Sequence, residues 1–102
     1  MNGLIDTMIP QLEKYKEKIV KKLKEHEVKR ASLFGSIVRG EITNESDIDI
    51  LIEFKGTKSL LDLVRLKIEL EELLKHKVDL LTYNSLNPLL KDQILAEQVE
   101  IL

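Results

Sequence analysis

The stretch Leu33–Phe54, LFGSIVRGEITNESDIDILIEF, decides how this chain is read. It begins apolar, breaks at Gly35-Ser36 and passes through loop chemistry at Thr43-Asn44-Glu45-Ser46. It ends in an isoleucine-rich run that carries Asp47 and Asp49. Side chains alternate along a strand, so Asp47 and Asp49 share one face while Ile48, Ile50 and Ile52 share the other. The isoleucines can bury against helices. The carboxylates repel each other, and partial burial strengthens the repulsion. A hard divalent cation removes that penalty, because Mg²⁺ takes carboxylate oxygens, keeps waters and shares its remaining positions with substrate phosphates. A lone D-x-D also arises by chance on the polar face of a solvent-facing strand, so the context has to decide. Gly35 lets the backbone approach a ligand closely. Ser36 adds a hydroxyl and an N–H at the expected start of a helical turn, an end that suits anions. Arg39 follows one turn later and can reach a phosphate. Gly40 then releases the chain toward the aspartates.

The spacing of Leu12, Tyr15, Ile19, Val20 and Leu23 predicts a helix over 9–26, with Pro10 in its first turn. Val28 to Phe34 reads as a strand, Ser36 to Glu41 as one helical turn, and Ile48 to Phe54 as the second strand. Ser59 with Asp62 forms a capping-box pattern that opens a helix reaching Lys75. Val78 to Leu81 reads as a third strand. Asn87-Pro88 is a cap followed by a first-turn proline, so a last helix begins there. The expected fold is α/β, a mixed three-stranded sheet with helices in the order α-β-α-β-α-β-α, forming one domain over 1–102.

Composition narrows the function classes. The 102 residues hold 43% hydrophobic and 33% charged side chains, with a formal net charge of −2. A balance this close to neutral gives no bulk attraction to nucleic acid or to an anionic membrane. There is no cysteine, which removes disulfides and thiolate metal sites and fits a cytoplasmic protein. No apolar run approaches the roughly 18 residues of a spanning helix, and the N-terminus has no signal-peptide pattern. Aromatic content is 4% with no Trp, which argues against base-stacking platforms and direct nucleic-acid binding. Residues 11–30 carry eight Lys/Arg against four Asp/Glu, leaving −6 for the rest of the chain. That basic stretch reads as a solvated helix face with Glu–Lys neighbours; a docking surface for an acidic partner or RNA is the sharper alternative.

Gly35-Ser36, ten residues, then Asp47-Ile48-Asp49, with Arg39-Gly40 between, resembles the signature of the DNA polymerase β-like nucleotidyltransferase superfamily. Within it, the chain is similar to the minimal nucleotidyltransferases, the small partners of HEPN-domain proteins. The likeness spans the leading helix and extends to LNPLLKDQIL, Leu86–Leu95. It implies a third carboxylate on a neighbouring strand, and KHKVDLLTY offers Asp79; an ordinary edge-strand acid is the other account of that residue. Carried over, Asp47, Asp49 and Asp79 hold metal, two Mg²⁺ ions being expected. Asp79 also helps to deprotonate the acceptor hydroxyl. Gly35, Ser36 and Arg39 hold the β and γ phosphates of ATP. The relatives often carry an aromatic and a small residue where Ile37 and Val38 stand. The implied reaction is attack of a hydroxyl on the α-phosphate with loss of pyrophosphate.

That resemblance suggests AMP transfer to a hydroxyl, such as a tyrosine, of a HEPN-type toxin, which makes this chain the antitoxin. Three other functions compete. The fold could neutralise its partner by contact alone, with vestigial or regulatory nucleotide binding. It could modify a small molecule, although such enzymes usually carry an extra domain for the acceptor. It could bind RNA through residues 14–30. There is no G-x-x-x-x-G-K loop, so a P-loop reading is excluded. His26 and His76 fall at expected helix ends and lack the spacing of a zinc site. Tyr15 belongs to a helix face. Tyr83 could lie near a base or serve only as a loop tyrosine. Glu41 could touch the site through its loop or be a solvated acid.

Overall fold

The computed structural model of the chain describes residues 10–40 and 47–102. The start of the expected first helix at Ile9, the loop Thr43–Ser46 and Glu41 lie outside them. Helix α1 (Pro10–Glu25) leads into strand β1 (Val28–Phe34). A four-residue helix α2 (Ser36–Arg39) follows, then β2 (Ile48–Phe54), helix α3 (Leu60–Leu74) and β3 (Val78–Thr82). A 3₁₀ turn at Tyr83–Ser85, helix α4 (Pro88–Glu97) and a short β4 (Val99–Glu100) complete the order.

The sheet is mixed, in the spatial order β3-β2-β1-β4. β1 and β2 are antiparallel, β1 and β4 are antiparallel, and β2 and β3 are parallel. The expected mixed α/β fold is therefore present with one strand more. The three-stranded count missed β4, a two-residue strand that pairs Val99 with Leu33 and Glu100 with Ser32. Two residues are too few to display an alternating pattern. They become a strand because β1 presents an edge that needs partners.

The local rules explain the boundaries. Ser59 and Asp62 form a complete capping box at the start of α3. Asn87 accepts the Leu89 N–H, and Pro88 occupies the first helical position of α4. The inward stripe of α3, Leu66, Leu70 and Leu74, packs with Ile19 and Leu23 of α1 on Ile48, Ile50 and Ile52. All three isoleucines are fully buried. α1 and α3 are tied at their rim by Glu69, which accepts from Lys22 at 3.3 Å and meets His26 Nε2 at 3.0 Å. Part of the basic face is thus engaged within the fold, since Lys22 also pairs with Glu25 at 3.3 Å and Arg30 with Glu53 at 2.7 Å. Such exposed pairs stabilise little.

The other sheet face is built differently. Register places Phe34 opposite Asp49 and Ser32 opposite Leu51. Asp79 lies beside Asp49, and Leu81 beside Leu51. Phe34, Leu51 and Leu86 form a small second core with Leu81, Tyr83, Ile94 and Leu95. α4 therefore covers the middle of this face, and the acidic end is left open.

Candidate active site

The site begins at Gly35. Its φ of 74° is positive, which side chains with a Cβ disfavour. A Cβ there would also collide with Asp49 Oδ2. The glycine is thus required twice, for its backbone angle and for the carboxylate lying against it. This contact joins the Gly-Ser turn to the strand aspartates through space. α2 follows at once: the Val38 N–H donates to the Gly35 carbonyl at 3.1 Å, and Gly40 ends the turn in the left-handed conformation. Ile37 is fully buried and anchors α2, which leaves Arg39 exposed on the outside.

Asp49 is half-buried, whereas Asp47 and Asp79 are exposed. Parallel pairing sets Asp49 and Asp79 side by side on neighbouring strands. Burial, then the charges of Asp79 and Asp47, push the Asp49 carboxyl up from 3.8 to about 6, with a further rise from Glu97 and an opposing pull from Arg39. Loss of water around the carboxylate is the leading cause, and crowding by neighbouring acids adds to it. Among the described residues, no three His, Cys, Asp or Glu side chains converge as a ready-made metal cage. The donor set nevertheless suits Mg²⁺: oxygen ligands only, like charges in mutual repulsion, and two of the three carboxylates exposed for a hydrated ion to approach.

A residue that the sequence did not single out enters here. Glu97, at the end of α4, accepts the Gly35 N–H at 3.2 Å and Arg39 Nη1 at 3.4 Å. No motif marks it. An acid closing a helix reads as surface, and only the return of the chain into β4 brings it to the Gly-Ser turn.

His76, His26 and Tyr83 have structural work. His76 Nε2 meets the Tyr15 hydroxyl at 3.2 Å with the rings edge to face. His26 meets Glu69. Tyr83 lies across the second face: its hydroxyl is 2.8 Å from the hydroxyl of Ser32, the buried polar residue of the core, and 3.3 Å from Gln98 Oε1. Arg30 stacks 4.0 Å over its ring. Beside Tyr83, at the far end of β2 and β3 from the acids, lies a polar cavity of about 370 Å³ lined in part by Thr57, Lys58, Thr82 and Asn84.

A Gly-Ser turn packed on a strand aspartate, with a second carboxylate on the next strand of an open mixed sheet, is the layout of a nucleotidyltransferase. Comparison with known proteins agrees. Residues 17–102 match the family described as Polymerase beta, Nucleotidyltransferase, and the chain belongs to that family. It is 63% identical over 87 residues to MJ0435 of Methanocaldococcus jannaschii, which is provisionally named a protein adenylyltransferase; the match covers 85% of this chain and 94% of that one. Protein adenylyltransferase MntA of Thermococcus cleftensis is 40% identical over 74 residues, 72% of this chain and 75% of that protein. Among solved structures, a toxin–antitoxin complex with AMP-PNP superposes with a TM-score of 0.76 at 27% identity, covering 85% of this chain and 72% of the matched one. A tri-AMPylated Shewanella oneidensis HEPN toxin bound to its MNT antitoxin gives a TM-score of 0.70 at 25% identity, covering 88% and 71%. The chain is a nucleotidyltransferase similar to the antitoxin members of such pairs.

Among the described residues, no helix is long and apolar enough to cross a membrane.

Proposed function

We propose that this enzyme transfers AMP from ATP to a tyrosine hydroxyl of a HEPN-domain toxin and so acts as its antitoxin. One observation carries the reading. Gly35 is packed on Asp49, so the phosphate-gripping turn and the acidic pair form one unit on an open face. Similarity to named protein adenylyltransferases, and to toxin–antitoxin complexes that contain AMP-PNP or AMP groups, supports the nucleotide and the kind of acceptor.

In this reading Ser36 and Arg39 hold the β and γ phosphates, and Gly35 lets the backbone come close. Asp47, Asp49 and Asp79 would hold Mg²⁺, two ions being expected, and the metal would supply neutralisation of the charge that develops during transfer. Asp79, exposed at the rim, takes the proton of the acceptor hydroxyl. The acceptor oxygen bonds to the α-phosphorus, the bond from that phosphorus to the bridging oxygen breaks, and pyrophosphate leaves with the electron pair. The open face suits an acceptor carried on a folded protein. AMP beside an RNase site adds a charged phosphate that repels the RNA backbone.

Calorimetry with ATP, with and without Mg²⁺, tests the assignment. Asp47→Asn and Asp49→Asn should each weaken Mg²⁺-dependent binding with the fold intact, and unchanged binding in both would refute it. Asp79→Asn should retain much of the binding and lose transfer. Ser36→Ala removes a hydrogen bond to a charged group and should cost roughly 1.5–3 kcal/mol for ATP, and less for AMP. A variant lacking Asp47, Asp49 and Asp79 together should fail to protect cells from the toxin. Full protection would mean that contact alone neutralises it.

A further inference from the structure

Glu97 holds two groups that the proposed reaction needs for the triphosphate. Its Oε1 accepts the Gly35 N–H at 3.2 Å, and both carboxylate oxygens lie 3.4 Å from Arg39 Nη1. A carboxylate and a phosphate compete for the same donors, a backbone N–H and a guanidinium. We propose that Glu97 is an internal competitor for the β and γ phosphates, seated on the Gly35 N–H and Arg39 in the nucleotide-free protein and displaced when Mg²⁺–ATP binds. The proposal rests on the nucleotide reading above and adds a residue to it.

The surroundings show how exchange can occur without unfolding. The backbone on either side of Glu97 is fixed. Before it, α4 is anchored through Ile94 and Leu95 in the second core. After it, Gln98 accepts from Tyr83, and β4 pairs with β1, with the Ile101 N–H donating to the Ala31 carbonyl at 2.9 Å. The Glu97 side chain itself is 30% exposed, so its rotation alone can withdraw the carboxylate from both donors. Two consequences follow for the reaction. In the empty state the carboxylate satisfies the Gly35 N–H and keeps the turn formed. After transfer, a returning Glu97 competes with pyrophosphate, the product that must leave.

Glu97→Gln is the informative variant, because it keeps an acceptor for the Gly35 N–H and removes the charge. Calorimetry with Mg²⁺–AMP-PNP should show tighter binding to Glu97→Gln than to the parent, by roughly three- to tenfold. AMP, which lacks the β and γ phosphates, should bind both proteins within about twofold, the scale of a negligible interaction difference. The Gly35 amide resonance of the nucleotide-free protein should shift on the substitution, and shift again in the parent on adding Mg²⁺–AMP-PNP. Equal or weaker AMP-PNP binding by the variant, or a Gly35 amide that ignores the substitution, would overturn the competitor role. If parent and variant both bind AMP-PNP equally, only that role falls. If neither binds it, the nucleotide reading falls and the competitor role with it.

Discussion

The two faces of strand β2 differ by one residue of offset and serve different ends. Ile48, Ile50 and Ile52 are fully buried under α1 and α3. Asp47 and Asp49 point the other way, where α4 covers only the middle of the sheet and like charges are left facing each other. The buried face gains from excluding water. On the acidic face, ionisation of the half-buried Asp49 opposes folding. One strand can do both because its side-chain period is two, and each face is answered by a different set of neighbours.

The largest loss of stability is expected on the buried face. Ile50→Ala opens a cavity in the centre of the sheet and should cost roughly 2–5 kcal/mol in urea unfolding. Asp79→Asn, one strand away on the open face, should leave the urea midpoint close to that of the parent.

Glycine substitutions sharpen the contrast. Gly35→Ala strains a residue at a positive φ and also displaces Asp49, so it should cost roughly 1–3 kcal/mol and abolish Mg²⁺-dependent ATP binding. Gly56 also has a positive φ, of 67°, but a Cβ there would meet nothing within 4 Å. Gly56→Ala should therefore cost about 1–2 kcal/mol, the strain alone, with nucleotide affinity unchanged. Equal loss of binding in the two variants would mean that the Gly35–Asp49 packing has no special role.

Ser59→Ala removes the α3 capping box and should cost about 1 kcal/mol with no effect on ATP binding. The smallest effect has the opposite sign. Asp49 titrates at about 6 in the folded protein against an ordinary 3.8, so its ionisation opposes folding. Its contribution is fully present below about pH 4 and is lost as pH rises through 6. Asp49→Asn should stabilise the Mg²⁺-free protein at pH 8 by up to ~1 kcal/mol, allowing for partial exposure, and the gain should vanish near pH 4. Thermal melts at both pH values check this; destabilisation at pH 8 would mean that the carboxylate is compensated.

Most of the fold was legible because local chemistry and tertiary need agree. β1 and β2 match their expected spans, Val28–Phe34 and Ile48–Phe54: Gly35 ends the first, and alternating isoleucines mark the second. The caps at Ser59 and Asn87 are where their side chains predict. β4 was not legible, because its two residues are a strand only by pairing with β1. At the site, Gly35 follows from the motif, Asp79 was expected only through the family resemblance, and its place beside Asp49 comes from the parallel register of β2 and β3. Glu97 does not, because its partners lie 62 and 58 residues away along the chain. An acid at a helix end carries no signal until the tertiary path is known.

In the proposed function the acidic face serves AMP transfer to a protein hydroxyl. Intact-mass spectrometry of a HEPN-domain toxin, after incubation with this chain, ATP and Mg²⁺, is the test. A gain of one or more AMP units with the parent and none with Asp79→Asn is the predicted result. An unmodified partner, neutralised equally well by the parent and by Asp79→Asn, would contradict it.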